Sequence, residues 1–266
     1  MMRNEHGDFI WYELLTSDAD AAAAFYKSVI GWNAANANQP GMDYNLFYAG
    51  DPSDTMNGVG GFMTITPEME AGGSRPAWIG YIAVEDVDKA VTDIIAAGGT
   101  SFMTMDVENV GRMAMVADPQ GALFYVMRGA SSEPSHSFAA IEPKVGHCAW
   151  NELSTTDPEA AKTFYGKLFG WAKDGDLDMG TMGKYEFLRV AGGRFLLGAV
   201  MPKMPQMPVS AWTYYFRVSD IDAAVDALKA AGGTLHMEPM EIPGGDYSLS
   251  ASDPQGAAFG LVGPRH

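Results

Sequence analysis

WYELLTSDADAAAAFYKSVIGW, residues 11–32, returns as WNELSTTDPEAAKTFYGKLFGW at residues 150–171. Aligned without gaps, the stretches share Trp, Glu, Leu, Thr, Asp, a Phe-Tyr pair and a closing Gly-Trp, 139 positions apart. A second pair follows, AWIGYIAVEDVDKAV at 77–91 and AWTYYFRVSDIDAAV at 211–225. AAGGT recurs at 96–100 and 230–234, and DPQGA at 118–122 and 253–257. Landmarks repeated in one order make the chain two homologous halves of about 130 residues. The segment GASSEPSHSFAAIEPK, 129–144, is small, polar and Pro-containing, and reads as the linker. The expected domains are therefore 1–130 and 145–266.

Each half repeats a smaller grammar. A strand-like run ends near an Asp, an Ala-rich helical stretch follows, then Gly, then further strands. After Asp18, Ala22, Phe25, Tyr26 and Val29 fall at i, i+3, i+4 and i+7, one apolar helical stripe. Asp18 and Asp86 sit where a carboxylate caps free helix N–H groups, and Gly31 and Gly98 where a helix stops. DPQG reads as a turn between the antiparallel strands Gly111–Ala117 and Ala122–Arg128. The unit is strand, helix and three strands, a βαβββ module. It appears four times, over about 7–70, 75–129, 145–205 and 209–263. The fold class expected is α+β. Segments 33–43 and 172–183, rich in Gly, Asn and Asp, read as surface loops.

Composition bounds the partners. The chain has 266 residues and a formal charge of -16, from 33 acids against 17 bases. That balance argues against phosphate backbones and anionic membrane surfaces. Hydrophobic residues make up 47%, enough to build real cores. A single cysteine, Cys148, excludes an internal disulfide framework and any Cys-cluster zinc site. MMRNEHGDFIWYELL lacks the apolar core of a secretory signal, and no run is long enough to span a membrane. The expectation is a cytoplasmic protein with a small-molecule ligand, no nucleic-acid or membrane partner, as a monomer or homodimer.

The string Asp18…Phe25-Tyr26…Gly31-Trp32 and its copy Asp157…Phe164-Tyr165…Gly170-Trp171 resemble the vicinal oxygen chelate superfamily. This is the glyoxalase, bleomycin-resistance and extradiol-dioxygenase group. Val84…Asp86-Val87-Asp88 with Gly98-Gly99, and the DPQG turns, complete the likeness, which covers nearly the whole chain. It implies modules paired into two domains, each an incompletely closed, curved mixed sheet around a cavity. It also implies a divalent metal held by His, Gln or Glu on the first and last strands of each module. Carried over position by position, those places hold Trp11, Ile79, Tyr125, Trp150, Thr213 and Gly260. None is a good metal ligand, so no metal is expected at the usual place. His147 lies three residues before Trp150, and strand alternation turns it to the opposite face. It reads as an exposed strand-end residue, and His236 as a surface one.

Alternation puts Trp11 and Glu13 on the cavity side of their strand, with Tyr12 and Leu14 facing the helices. The same logic places Tyr81, Tyr125, Trp150, Glu152, Thr213, Tyr215 and Arg217 on cavity faces. An aromatic wall with few polar groups suits a small-molecule site. With few bases in the chain, the ligand expected is aromatic and neutral to cationic. Glu13 or Glu152 could serve as a general base, with Tyr81 or Tyr215 donating to a developing enolate. Arg217 is the natural partner of Glu152 if that carboxylate is structural instead. Three functions compete: metal-independent binding, a lyase, isomerase or dioxygenase acting on a carbonyl or diol, and a scaffold whose cavities are filled by side chains. Trp11 and Trp150 read as pocket walls, Trp32 and Trp171 as core.

Overall fold

A computed structural model describes residues 4–205 and 207–266. The first module runs β1 (Phe9–Thr16), α1 (Ala19–Val29), β2 (Asn33–Asn36), β3 (Asn45–Tyr48) and β4 (Gly58–Thr64). A short helix, α2 (Pro67–Ala71), leads to β5 (Ala77–Ala83), α3 (Val87–Ala96), β6 (Thr100–Val107), β7 (Gly111–Ala117) and β8 (Leu123–Gly129). The third module holds β9 (Cys148–Thr155), α4 (Pro158–Phe169), β10 (Ala172–Asp178), β11 (Lys184–Arg189) and β12 (Leu196–Pro202). The fourth holds β13 (Ala211–Arg217), α5 (Ile221–Ala230), β14 (Thr234–Glu241), β15 (Tyr247–Ser252) and β16 (Ala258–Gly263). This is the α+β, four-module fold expected from the repeat.

Two eight-stranded sheets follow the sequence halves, in the orders β2-β3-β4-β1-β5-β8-β7-β6 and β10-β11-β12-β9-β13-β16-β15-β14. Each is open, because its outer strands end the order rather than pair together. The first and last strands of every module run parallel, Glu13 beside Gly61, Tyr81 beside Tyr125, Glu152 beside Ala199 and Tyr215 beside Gly260. The remaining pairs within each module are antiparallel.

The helices start where the capping residues predict. Asp18, Asp86 and Asp157 accept backbone N–H bonds of 2.9–3.0 Å from the first turns of α1, α3 and α4. Asp220 does the same for α5. Such caps contribute about 1 kcal/mol each. The stripe read on α1 is buried at Ala22, Phe25, Tyr26 and Val29.

By packing, the chain forms two compact units that do not follow the halves. One takes residues 80–135 and 150–213 with the chain up to Ile10, and the other takes 11–79, 136–149 and 214–266. The repeated motif explains why. In the second unit Trp78 Nε1 donates to Tyr26 Oη at 2.8 Å, and Tyr26 Oη donates to Asp253 of the DPQG turn at 3.1 Å. Trp32 Nε1 donates to the Gly146 carbonyl at 2.7 Å. The first unit repeats this with the halves exchanged. Trp212 Nε1 bonds Tyr165 Oη at 3.0 Å, Tyr165 bonds Asp118 at 3.1 Å, and Trp171 Nε1 bonds the Gly7 carbonyl at 2.9 Å. The Phe-Tyr and Gly-Trp pairs are thus core, as read for Trp32 and Trp171, and each unit joins one half to the other through them.

Two readings are corrected. The stretches 33–43 and 172–183 are not wholly loop, since each contains a strand, β2 and β10. As outer strands they pair on one side only, so they need no alternating apolar face. Their ladders to β3 and β11 hold them. His147 is not exposed: it is 6% accessible, just before β9, with Nδ1 at 3.2 Å from the Val145 carbonyl.

Candidate functional site

The parallel pairing of first and last strands sets side chains in register on one face. In the first unit, Trp150 and Glu152 leave the same face of β9, and Tyr185 reaches them from β11. Trp150 Nε1 donates to Tyr185 Oη at 2.7 Å, and Tyr185 Oη donates to Glu152 Oε2 at 2.8 Å. Trp150, Tyr185 and Glu152 are all partly exposed. The arrangement is a directed relay, indole to phenol to carboxylate, reachable from solvent. A hydrogen bond from a phenol fixes the direction of the carboxylate that accepts it.

The second unit repeats the indole-to-phenol bond of this arrangement. Trp11 Nε1 donates to Tyr44 Oη at 3.0 Å. Tyr44 lies over Gly61, the residue in register with Glu13: a Cβ built on Gly61 would stand 2.1 Å from Tyr44 Oη. Glu13 is only 4% accessible. Tyr44 and Tyr185 were not singled out in the sequence. They do repeat, but 141 residues apart rather than 139, so the gap-free alignment passes over them.

The other sequence-selected residues take these places. Tyr81 and Tyr125, in register on β5 and β8, stack at 4.2 Å with their planes 13° apart, and both are buried. At the matching positions of the second unit, Tyr215 lies flat across Gly260, where an added Cβ would meet its ring at 2.2 Å. Thr213 is partly exposed on β13. Arg217 is held by Asp246 at 2.5 and 3.2 Å, while the carboxylate Glu152 takes Tyr185. The expected Arg217–Glu152 partnership is thus replaced by two others. The reason is local: Asp246 precedes β15, which neighbours β16, itself paired with the Arg217 strand.

Of the side chains at the places the resemblance assigns to metal ligands, Trp11 and Trp150 offer only an indole N–H donor, Ile79 and Gly260 offer no side-chain lone pair, and Tyr125 and Thr213 offer a hydroxyl each, with no imidazole or carboxylate among them. Among the described residues, no three His, Cys, Asp or Glu side chains converge to hold an ion. Nor, among them, is any helix long and apolar enough to cross a membrane.

A grooved surface of about 280 Å³ lies elsewhere in the first unit, between α3 and the end of α4, lined by Lys89, Ile94, Lys167 and Phe169 among others.

Comparison with known proteins agrees with the repeat. A family model described as the glyoxalase/bleomycin resistance protein/dioxygenase superfamily matches residues 144–261, and a glyoxalase-like domain model matches 11–127. The chain is 33% identical over 255 residues to a putative glyoxylase, CFP32, of Mycobacterium tuberculosis, covering 96% of this chain and 94% of that one. It is also 33% identical over 278 residues to the anthracycline biosynthesis protein DauV of a Streptomyces species, covering 98% and 95%. Among solved structures, the fold matches the 2,3-dioxygenase LapB of Pseudomonas sp. KL28 with a TM-score of 0.64, 13% identity, and coverage of 100% and 94%. A Mn(II)-bound glyoxalase of Novosphingobium aromaticivorans matches with a TM-score of 0.61, 18% identity, and coverage of 100% and 84%.

Proposed function

The chain belongs to the glyoxalase/bleomycin resistance protein/dioxygenase superfamily, and on that premise we propose that it binds a small aromatic molecule, neutral to cationic, without a metal at the usual place. The observation that carries this reading is the Trp150–Tyr185–Glu152 relay. It sets a partly exposed indole at a place where the resemblance implies a metal ligand, with an oriented carboxylate two residues further along the same strand. An indole face attracts a planar ring or a cation, and a carboxylate accepts from an N–H or O–H donor. The name of DauV, an anthracycline biosynthesis protein, supports a planar aromatic ligand.

The test is titration of the purified protein with neutral, cationic and anionic aromatic compounds, followed by tryptophan fluorescence. Saturable quenching by neutral or cationic members supports the reading. No response to any of them contradicts it.

A second reading draws on the relative named putative glyoxylase. Here the chain is a lyase, isomerase or dioxygenase of the superfamily type, with Glu13 or Glu152 as general base. The Glu152 carboxylate, aligned by Tyr185, would take a proton from the carbon beside a substrate carbonyl, the C–H pair becoming the C=C bond of the enolate as the carbonyl π pair moves onto oxygen. Deuterium exchange at that carbon in heavy water, abolished in Glu152→Gln, would support catalysis. Exchange at the uncatalysed rate for a bound ketone would count against it.

A further inference from the structure

The two Trp-Tyr-Glu sets are alike in residue type, and their Trp and Tyr members are all partly exposed, but the glutamates differ in access. Glu13 is almost wholly buried, whereas Glu152 is partly exposed. The residue in register beside each glutamate differs, Gly61 beside Glu13 and Ala199 beside Glu152. Parallel partners in register carry their side chains on the same face. At Gly61 that face is bare, and the tyrosine has moved into the space: a Cβ there would lie 2.1 Å from Tyr44 Oη, 2.4 Å from Cζ and 2.8 Å from Cε1. No real Cβ tolerates those distances, so Tyr44 can hold its position only over a glycine. In the other unit the residue in register with the glutamate is Ala199, whose methyl stands on that face where Gly61 has none.

We propose that Gly61 and Ala199 set which glutamate a ligand can reach. Gly61 lets Tyr44 settle into the space beside Glu13 and closes that carboxylate off. Ala199 keeps Tyr185 raised and leaves Glu152 open, so Glu152 alone engages the ligand. The ligand class follows from the open relay: a flat ring beside Trp150 carrying an N–H, O–H or ammonium group toward Glu152. This rests on the binding reading above, but the closure itself is testable without any ligand.

The experiment labels accessible carboxylates with a water-soluble carbodiimide and a small amine, then maps the amides by peptide mass spectrometry. In the unmodified protein the peptide carrying Glu152 is labelled at least several-fold faster than the one carrying Glu13. Gly61→Ala brings Glu13 into the labelled set, and Ala199→Gly slows labelling of Glu152. Circular dichroism checks that each variant is folded. Equal labelling of the two glutamates in the unmodified protein overturns the proposal. So does a folded Ala199→Gly variant whose Glu152 labels unchanged. A parallel titration uses proflavine, a planar cationic dye, and should show one site per chain, weakened tenfold or more by Glu152→Gln and unaffected by Glu13→Gln. Two equal sites, one lost with each substitution, overturn the proposal. No dye binding, with the labelling difference intact, tells against the binding reading and leaves the access asymmetry standing.

Discussion

At the scale of single residues, the polar groups that matter are those whose partners the sequence hides. His147 is the clearest titrating case. Burial holds its imidazole below the ordinary 6.5, against the pull of the Val145 carbonyl, and the nearby Lys144 and His136 lower it further. The unfolded chain therefore takes up the proton more readily than the folded one. The stability linked to His147 is complete above about pH 6.5 and is lost as pH falls through the folded value. Thermal melting should fall more steeply between neutral and mildly acidic pH in the unmodified protein than in His147→Asn. Parallel melting curves for the two would contradict this. Tyr185 gives a second prediction. Phenylalanine there removes both bonds of the relay while keeping the ring, so affinity for a cationic aromatic probe should fall by about 1–2 kcal/mol, or roughly 5–30-fold. An unchanged dissociation constant by calorimetry would mean that the relay does not orient the ligand.

At the scale of elements, the repeated string made the helices and the core legible. The Asp caps, the α1 stripe and the stop at Gly31, whose φ of 89° suits glycine, all follow from residue type and spacing. What the string could not tell is where its own polar atoms go. Tyr26 reaches Asp253, 227 positions away, and Trp32 reaches Gly146, 114 away. Local pattern carries no information at such separations. Tyr26→Phe leaves the Trp78 N–H and the buried Asp253 carboxylate short of a partner. It should lower stability by about 1–3 kcal/mol in urea titration, and Tyr165→Phe should do the same at Asp118. A loss near zero for both would mean that these chains only fill space. The outer strands β2 and β10 escaped the sequence for a different reason. Their stability comes from one ladder of backbone bonds and, for β10, from ion pairs of Lys173 with Asp176 and Glu186. Neither source leaves an apolar period to read. The candidate site was half legible. Alternation picked Trp150 and Glu152, and Trp11 and Glu13, but the tyrosine that bonds each tryptophan lies after a loop whose length differs by two residues between the halves.

At the scale of the whole molecule, the repeat and the charge act together. The sheets follow the sequence halves, while each compact unit takes a module from both, so the duplicated motif serves to bind one half to the other. The net charge of -16 surrounds any ligand with a negative field. Arg217, the base expected on a cavity face, is held by Asp246 and offers little counterweight. A cationic aromatic probe should therefore bind more tightly than an anionic isostere of the same shape. The gap should narrow as salt shortens the screening length, which is ~10 Å at 0.1 M ionic strength. Equal affinities at low salt would remove electrostatics from the account.

The most direct test of the central claim is a calorimetric titration with a planar cationic aromatic dye, run on the protein as purified, after exhaustive chelation, and on Glu152→Gln. The account predicts saturable binding that chelation leaves unchanged and Glu152→Gln weakens tenfold or more. Binding that disappears on chelation and returns with a divalent metal, or that ignores the loss of Glu152, would contradict it.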